Sequence, residues 1–342
     1  MLNDYDKVYG QSFKKFSQLD QDSLTVNLEK RFKENKIDPK KLFKNKKCLD
    51  VGCGYGAGSL FLAKNGAKSV SSVDISKINV ENTTLNSKRF NYEKIIKVQQ
   101  SNALKLPFKD QSFDIVWCFG VLHITSDPDK GLRELTRVLT TNGKLLMFLY
   151  GAGGILWYTI FRGRKYVKKI GTSSLRQIIE FCENDPGRIT SIMDNWKTPF
   201  LCNYTNDEVL KRVKELGFIE SEPLKYGLKW DTNHRISKFK NERNFCGSGD
   251  LRYILTKNIH FPFYKKSKNS LHNNEICPQN KLDSYFIKEY GDYIDRFERK
   301  CKKDTTLGIL CHRILFNKVA ELHRSEQPFD YKKLIKFVKD IL

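Results

Sequence analysis

The sequence predicts an α/β protein built on a mostly parallel sheet with helices on both faces. Three observations carry this expectation. Between residues 47 and 150, short apolar runs alternate with segments of helical spacing. A glycine-rich turn, CLDVGCGYGAGS over 48–59, leaves the first apolar run and opens onto a helix. Asp74 then closes the second run, 18 residues beyond Gly56.

Each element follows from its residues. Residues 1–46 read as helical, with Phe13, Phe16 and Leu19, then Leu24, Leu28 and Phe32, at helical spacing, and IDP at 37–39 breaks the second helix. Strands are expected at 47–51, 69–73, 95–99, 113–119 and 145–150, and helices at 59–64, 76–91 and 129–139. The strand–helix rhythm ends at GAGG, 151–154, and 151–205 reads as an inserted, partly helical segment. A helix at 207–216 and strands at 218–223 and 251–257 resume the core, so 206–257 completes it. The remainder, 258–342, reads as a helical extension, with helices at 282–300, 307–322 and 331–342.

The chain has 342 residues and a formal net charge of +22, which invites a nucleic-acid reading. The excess is spread along the chain, at +4, +5, +7 and +6 over 1–46, 47–150, 151–257 and 258–342, which reads more simply as a solvated basic surface. No run of 18 or more apolar residues appears, so no membrane span is expected, and MLNDYDKVYG has no apolar signal core. The nine cysteines are scattered, without CxxC or zinc spacing, so buried thiols, no metal site and a cytoplasmic location are expected.

The glycine turn narrows the chemistry. No Lys-Ser/Thr follows it, so it is not a nucleotide-triphosphate loop. Gly52, Gly54 and Ala57 roughly satisfy a dinucleotide pattern, but that match alone is weak. Asp50, two residues before the first glycine, can order a cationic amino group nearby. Asp74, at a strand end, can accept from both hydroxyls of a ribose. Dinucleotides and adenosyl groups both need that, so the ligand stays open on this ground.

Residues 102–123, NALKLPFKDQSFDIVWCFGVLH, together with Asp50-x-Gly52-x-Gly54-x-Gly56, Asp74 and the helix DPDKGLRELTRVL, resemble the class I S-adenosylmethionine (SAM) methyltransferases of the small-molecule and quinone-biosynthesis kind. The resemblance covers 45–150 well and 205–257 loosely. It implies a Rossmann-like, seven-stranded, mostly parallel sheet with an antiparallel last strand, and SAM as cofactor. It also implies that Gly52, Gly54 and Gly56 bare the backbone to the aminoacyl end and that Asp50 orders that end. Asp74 would hold the ribose, Ile75 would pack on the adenine, and Asn102 and the Ala103 amide would face its amino group. Phe119 would line the methionine arm. Three departures stand out: Asn102 replaces the usual Asp, Ile124 a second His, and Thr141-Asn142 the usual Pro-Gly.

Methyl transfer from a sulfonium demands alignment and at most a base. His123 and Tyr150, at the carboxyl ends of strands four and five, are the candidate bases or acceptor-orienting groups. Trp157, Tyr158, Arg162, Trp196, Tyr204, His234 and Arg235 would suit a planar or anionic acceptor, although the tryptophans read equally as packing. No Asn/Asp-Pro-Pro-Tyr/Phe and no Pro-Cys occur, which weighs against base methylation. A small or medium-sized metabolite is the expected acceptor, with 1–46 and 151–205 as lids. The rivals are an RNA (tRNA) methyltransferase using the basic surface, and a non-catalytic SAM-binding partner subunit whose tail stripe (Tyr285, Phe286, Tyr290, Tyr293, Phe297) meets another protein. A nicotinamide dehydrogenase is a distant fourth. The oligomeric state is left open.

Overall fold

The structure is a computed structural model, and it describes residues 5–10, 18–168, 170–183, 185–229, 231–239, 242–258, 284–301, 305–325 and 327–341. A short π-turn at Asp6–Gly10 precedes α1 (Gln18–Glu34) and α2 (Pro39–Phe43). The sheet contains β1 (Lys47–Val51), β2 (Ser69–Asp74), β3 (Ile96–Gln100), β4 (Phe113–Phe119), β5 (Leu139–Tyr150), β6 (Phe218–Pro223) and β7 (Asp250–Lys257). Its order is β3-β2-β1-β4-β5-β7-β6. The strands β1 to β5 run parallel, and β7 is antiparallel to both β5 and β6, as the resemblance implied.

Helices α3 (Ala57–Lys64), α4 (Lys77–Arg89) and α5 (Pro128–Val138) cross between the parallel strands. One face of the sheet buries Leu49, Val51, Val116 and Cys118 against Leu132, Leu135 and Val138 of α5. The other face buries Phe32 of α1, Phe43 of α2 and Phe61 of α3 around Trp117, with ring centroids 5.1–6.4 Å apart. This aromatic cluster fixes the first two helices on the sheet; each such pair contributes about 0.5–1.5 kcal/mol beyond area burial. Side-chain caps start α5 and also α2, which the break at IDP did not foretell. Asp38 accepts from the Lys40 amide (2.9 Å) to cap α2, and Asp127 from the Lys130 amide (2.9 Å) to cap α5.

β5 begins at Leu139 rather than Leu145. NGK, read as the turn into the strand, is a kink within it: Asn142 takes φ 61° and the register to β4 slips between Phe113 and Ile115. Beyond β5 the inserted segment forms α6 (Gly154–Val167), α7 (Thr172–Cys182) and α8 (Pro186–Lys197). Helix α9 (Asn206–Glu215), started by a Thr205–Glu208 capping box, leads to β6. The excursion between β6 and β7 carries α10 (Thr232–Lys238) and α11 (Arg243–Cys246).

The tail forms α12 (Ser284–Lys300), α13 (Thr305–Arg324) and α14 (Tyr331–Ile341). Tyr290, Ile294 and Phe297 of α12 pack with Leu315 and Val319 of α13 onto Ile155 and Tyr158 of α6. The described part of the tail stripe therefore covers this chain's own core. The side chains of Tyr285 and Phe286, like those of Leu19 and Leu24, lie outside the described residues, as do Phe13 and Phe16 altogether.

Candidate active site

The strand order reverses between β1 and β4, and a crevice opens there at the carboxyl ends of the strands. A cavity of about 370 Å³ occupies it. Seven of the expected cofactor residues line it: Gly52, Gly54, Asp74, Ile75, Asn102, Ala103 and Phe119. The glycine loop turns through φ 73° at Gly52 and 58° at Gly54, conformations that side chains disfavour, so bare backbone faces the cavity.

Asp74 is buried on the cavity wall. Its Oδ2 accepts from the Gly54 amide (2.9 Å) and its Oδ1 from the Ser76 amide (2.9 Å). Burial pushes its carboxyl above the usual range, against the pull of those amides. The Asn79 side chain also bonds the carboxylate, which has about four acceptor sites and so keeps one for a further donor. Asn79, 4% exposed, lines the same wall, and its Oδ1 is buried without a hydrogen-bond partner. An acceptor-rich wall of this kind suits a ligand that brings hydroxyl or amine donors. Ile75, Ala103 and Leu104 supply apolar surface beside it.

Other expectations need correction. Asp50 and Gly56 do not line the cavity. Asp50 lies beneath the loop, 2% exposed, where its Oδ2 accepts from the Ser59 hydroxyl (2.6 Å). Burial raises its carboxyl to about 7. Gly58 makes room for it, since a Cβ there would stand 2.9 Å from Asp50 Oδ2 and from Trp117 Nε1. Asp50 thus supports the loop from beneath, outside the lining of the cavity. Gly56 caps α3 at φ 99°. Asn102 reaches the cavity, but its Oδ1 accepts from the Leu104 amide (2.8 Å) and closes a local turn.

His123 lies in the short turn Leu122–Ile124, 1% exposed, outside the cavity. Its ring packs on Tyr150 (3.9 Å) and its Nδ1 has no partner, and burial lowers its pKa to about 3. It is a packed neutral imidazole, not a solvent-facing base. The Tyr150 hydroxyl donates to Asp194 Oδ2 (2.7 Å), and Tyr9, on the cavity wall, donates to the other oxygen of the same carboxylate. Burial pushes Asp194 above its usual range, opposed by the two phenols.

The expected acceptor residues scatter. Trp157 and Tyr150 line a second cleft of about 940 Å³ between the end of β5, the inserted helices and α13. Arg162 pairs with Asp295 (2.5 Å) and with Glu298 of α12. Its neighbour Tyr158 packs under the tail. Trp196 is buried against Phe316 and over Gly163, where a Cβ would come within 3.0 Å of its ring. Tyr204 extends the sheet beside Gly151, its amide bonding the Tyr150 carbonyl (3.0 Å). Arg235 is buried against Glu242 (2.5 Å) and donates to the Ser325 carbonyl (2.7 Å). His234 lies on α10, outside both cavities.

Sequence reasoning missed Tyr5, Tyr9, Thr125, Ser126 and Phe200 on the first cavity's wall. Tyr5 donates to the Ile124 carbonyl (2.7 Å) and stacks on Tyr9. The signal was present as tyrosines four apart in YDKVY, one face of a single turn.

Residues 49–147 match the family model described as a methyltransferase domain. Over this stretch, about 29% of the chain, the sequence is similar to a methyltransferase domain. Among similar curated proteins, a 27-O-demethylrifamycin SV methyltransferase of Amycolatopsis mediterranei is 30% identical over 99 residues, covering 29% of this chain and 36% of that protein. A demethylmenaquinone methyltransferase of Lactobacillus johnsonii is 35% identical over 114 residues, covering 31% and 47%. This chain thus spans less than half the length of these relatives, and the likeness of the methyltransferase domain stops short of the inserted segment and the tail. Among solved structures, the [4+2]-cyclase SpnF superposes with a TM-score of 0.43 at 17% identity over 70% of this chain and 82% of that one. Among the described residues, no helix is long and apolar enough to cross a membrane.

Proposed function

We propose that this chain moves a methyl group from SAM to a small or medium-sized metabolite by in-line displacement. The observation that carries this reading is the cavity at the β1–β4 switch point, where one buried carboxylate with spare acceptor capacity, an unpartnered Asn79 oxygen and bare glycine backbone meet. SAM, when bound, supplies a methyl carbon already activated by a positive sulfur. Asp74 and Asn79 would take the donors of its ribose, and Ile75, Ala103 and Leu104 would wall the adenine. The backbone at Gly52 and Gly54 would admit the aminoacyl arm, with Phe119 beside it.

Tyr5, Tyr9, Ile124, Thr125, Ser126 and Phe200 form another part of the wall and suit an acceptor of modest size. Tyr9, hydrogen-bonded to Asp194, takes the place given to His123: its phenol can receive the acceptor's proton while passing its own to the carboxylate. The relatives named for demethylrifamycin and demethylmenaquinone support a metabolite acceptor. Cys48, Cys53, Cys118, Cys202, Cys246, Cys301 and Cys311 are free thiols, which supports a reducing, cytoplasmic setting.

The test is titration calorimetry with SAM and S-adenosylhomocysteine, followed by incubation with methyl-labelled SAM and either a small-molecule extract or tRNA. Binding of both ligands and label in the small-molecule fraction are expected. Label on tRNA alone, or no heat with either ligand, would contradict the reading.

A further inference from the structure

The cavity lies at the carboxyl ends of the strands. The opposite end of the sheet has a different character. Residues 40–47 carry five lysines and no acid. The Asp38 carboxylate is engaged by the amides of α2, at 2.9 Å from the Lys40 nitrogen. This segment ends at the start of β1, and the fold brings two further basic loops beside it. The Lys68 amide bonds the Lys46 carbonyl (2.8 Å), and the Asn45 amide bonds the Gly66 carbonyl (2.8 Å), which joins the loop before β2 to the loop before β1. The Val70 amide bonds the Ile95 carbonyl (3.0 Å), which places Lys94 next along the edge. Neighbouring strands are about 4.8 Å apart. Lys44, Lys46, Lys47, Lys68 and Lys94 are therefore gathered within three strand widths, and all five are exposed.

Few acids answer them. Asp114, at the start of β4, accepts from the Lys47 amide (2.8 Å), and Glu93 stands next to Lys94. The patch offers no stacking platform. None of the large apolar side chains left exposed among the described residues lies on these loops, and Phe90 and Tyr92 pack into the core behind them. A cationic face without rings or insertable apolar groups fits neither unstacked bases nor a lipid interior. It fits a polyanion that presents phosphates outward and turns its bases inward.

We propose that the amino-end face of β1, β2 and β3 docks a double-stranded nucleic acid through its phosphate backbone. The docked duplex is not the methyl acceptor, because the cavity opens at the other end of the strands. Docking holds the chain on a nucleic acid and leaves the cavity free for its own ligands.

Fluorescence anisotropy with a labelled DNA duplex and the matching RNA duplex tests this, and a preference between the two identifies the natural partner. With five phosphate contacts, affinity should fall about 500-fold as salt rises from about 50 to about 200 mM. The variant with Lys44, Lys46, Lys47, Lys68 and Lys94 changed to Gln should lose at least about 100-fold at the lower salt. Lys68→Gln alone, a minimal change, should reduce the salt slope by about 1. A control with Lys211, Lys214, Lys225, Lys332 and Lys336 changed to Gln lowers net charge equally on other surfaces and should stay within about threefold. An equal loss in the control would overturn the proposal in favour of diffuse charge. So would absent binding at the lower salt, tighter binding to the unpaired strand, or tighter binding to vesicles containing phosphatidylserine.

Discussion

The two cavities at the carboxyl side of the sheet differ in a way that size does not capture. The cleft beside β5 holds about 940 Å³ and is rich in charge, yet its ions are committed to each other. Arg31 grips Asp231 through two bonds of 2.7 and 2.8 Å, and Arg252 reaches Asp250 at 3.0 Å and Asp231 at 3.5 Å. Burial raises the Asp231 carboxyl, but Arg252 and Arg31 outweigh it and hold it below its usual range. Lys318 pairs with Glu321 (2.8 Å). The switch-point cavity holds about 370 Å³, but Asp74 has no cation and Asn79 Oδ1 has no partner. Unspent acceptors mark a place for a ligand, whereas satisfied ion pairs mark a seam between segments.

The largest expected effect tests the one carboxylate that joins the two spaces. Asp194 holds Tyr9 of the cavity and Tyr150 of the cleft. Once an acceptor is in hand, Asp194→Asn should slow methyl transfer by about 10²–10⁴-fold, with SAM affinity unchanged by calorimetry. Equal rates would return the proton to solvent.

Next comes the seam. Arg235 and Glu242 are each 1% exposed, and Arg235→Met strands the Glu242 charge. We expect a loss of about 3–5 kcal/mol in urea unfolding with no change in SAM affinity. A comparable loss of SAM binding would mean that tail and cavity are one unit. Asp74→Ala should do the reverse. It should weaken SAM and S-adenosylhomocysteine by about 100-fold, from about 3 kcal/mol of charge-assisted bonding, with a smaller loss of stability of about 1–3 kcal/mol from the Gly54 and Ser76 amides that lose their acceptor.

The smallest effect belongs to Asp50. Its folded carboxyl titrates near 7 and its unfolded one near 3.8. Between these values the folded chain keeps a proton that the unfolded chain has lost, so this group's share of stability falls as pH rises through the window. Asp50→Asn should raise Tm by a few degrees at pH 8 and leave it unchanged near pH 4, as followed by circular dichroism.

The sequence was most legible where chemistry is local. β1, β4 and β6 begin and end where apolar runs and their bounding residues put them, and seven of the residues expected to hold a cofactor line one cavity. Periodicity and a glycine turn are short-range signals. The acceptor residues were illegible for the opposite reason. Arg162 is spent on Asp295 and Glu298, and Arg235 on Glu242 and the Ser325 carbonyl 90 residues away. An Arg or Trp beside aromatics reads the same in a pocket and in a core, and only the long-range partner tells them apart. Tyr9 escaped for the same reason, because its worth depends on Asp194, 185 residues on.

A crystal structure with S-adenosylhomocysteine tests the central claim most directly. Its ribose hydroxyls should lie within hydrogen-bonding distance of Asp74, with the aminoacyl arm along Gly52–Gly54. Density for the ligand in the Arg31–Arg252 cleft instead, or a switch-point cavity filled by the Tyr5 and Tyr9 rings in its presence, would contradict it.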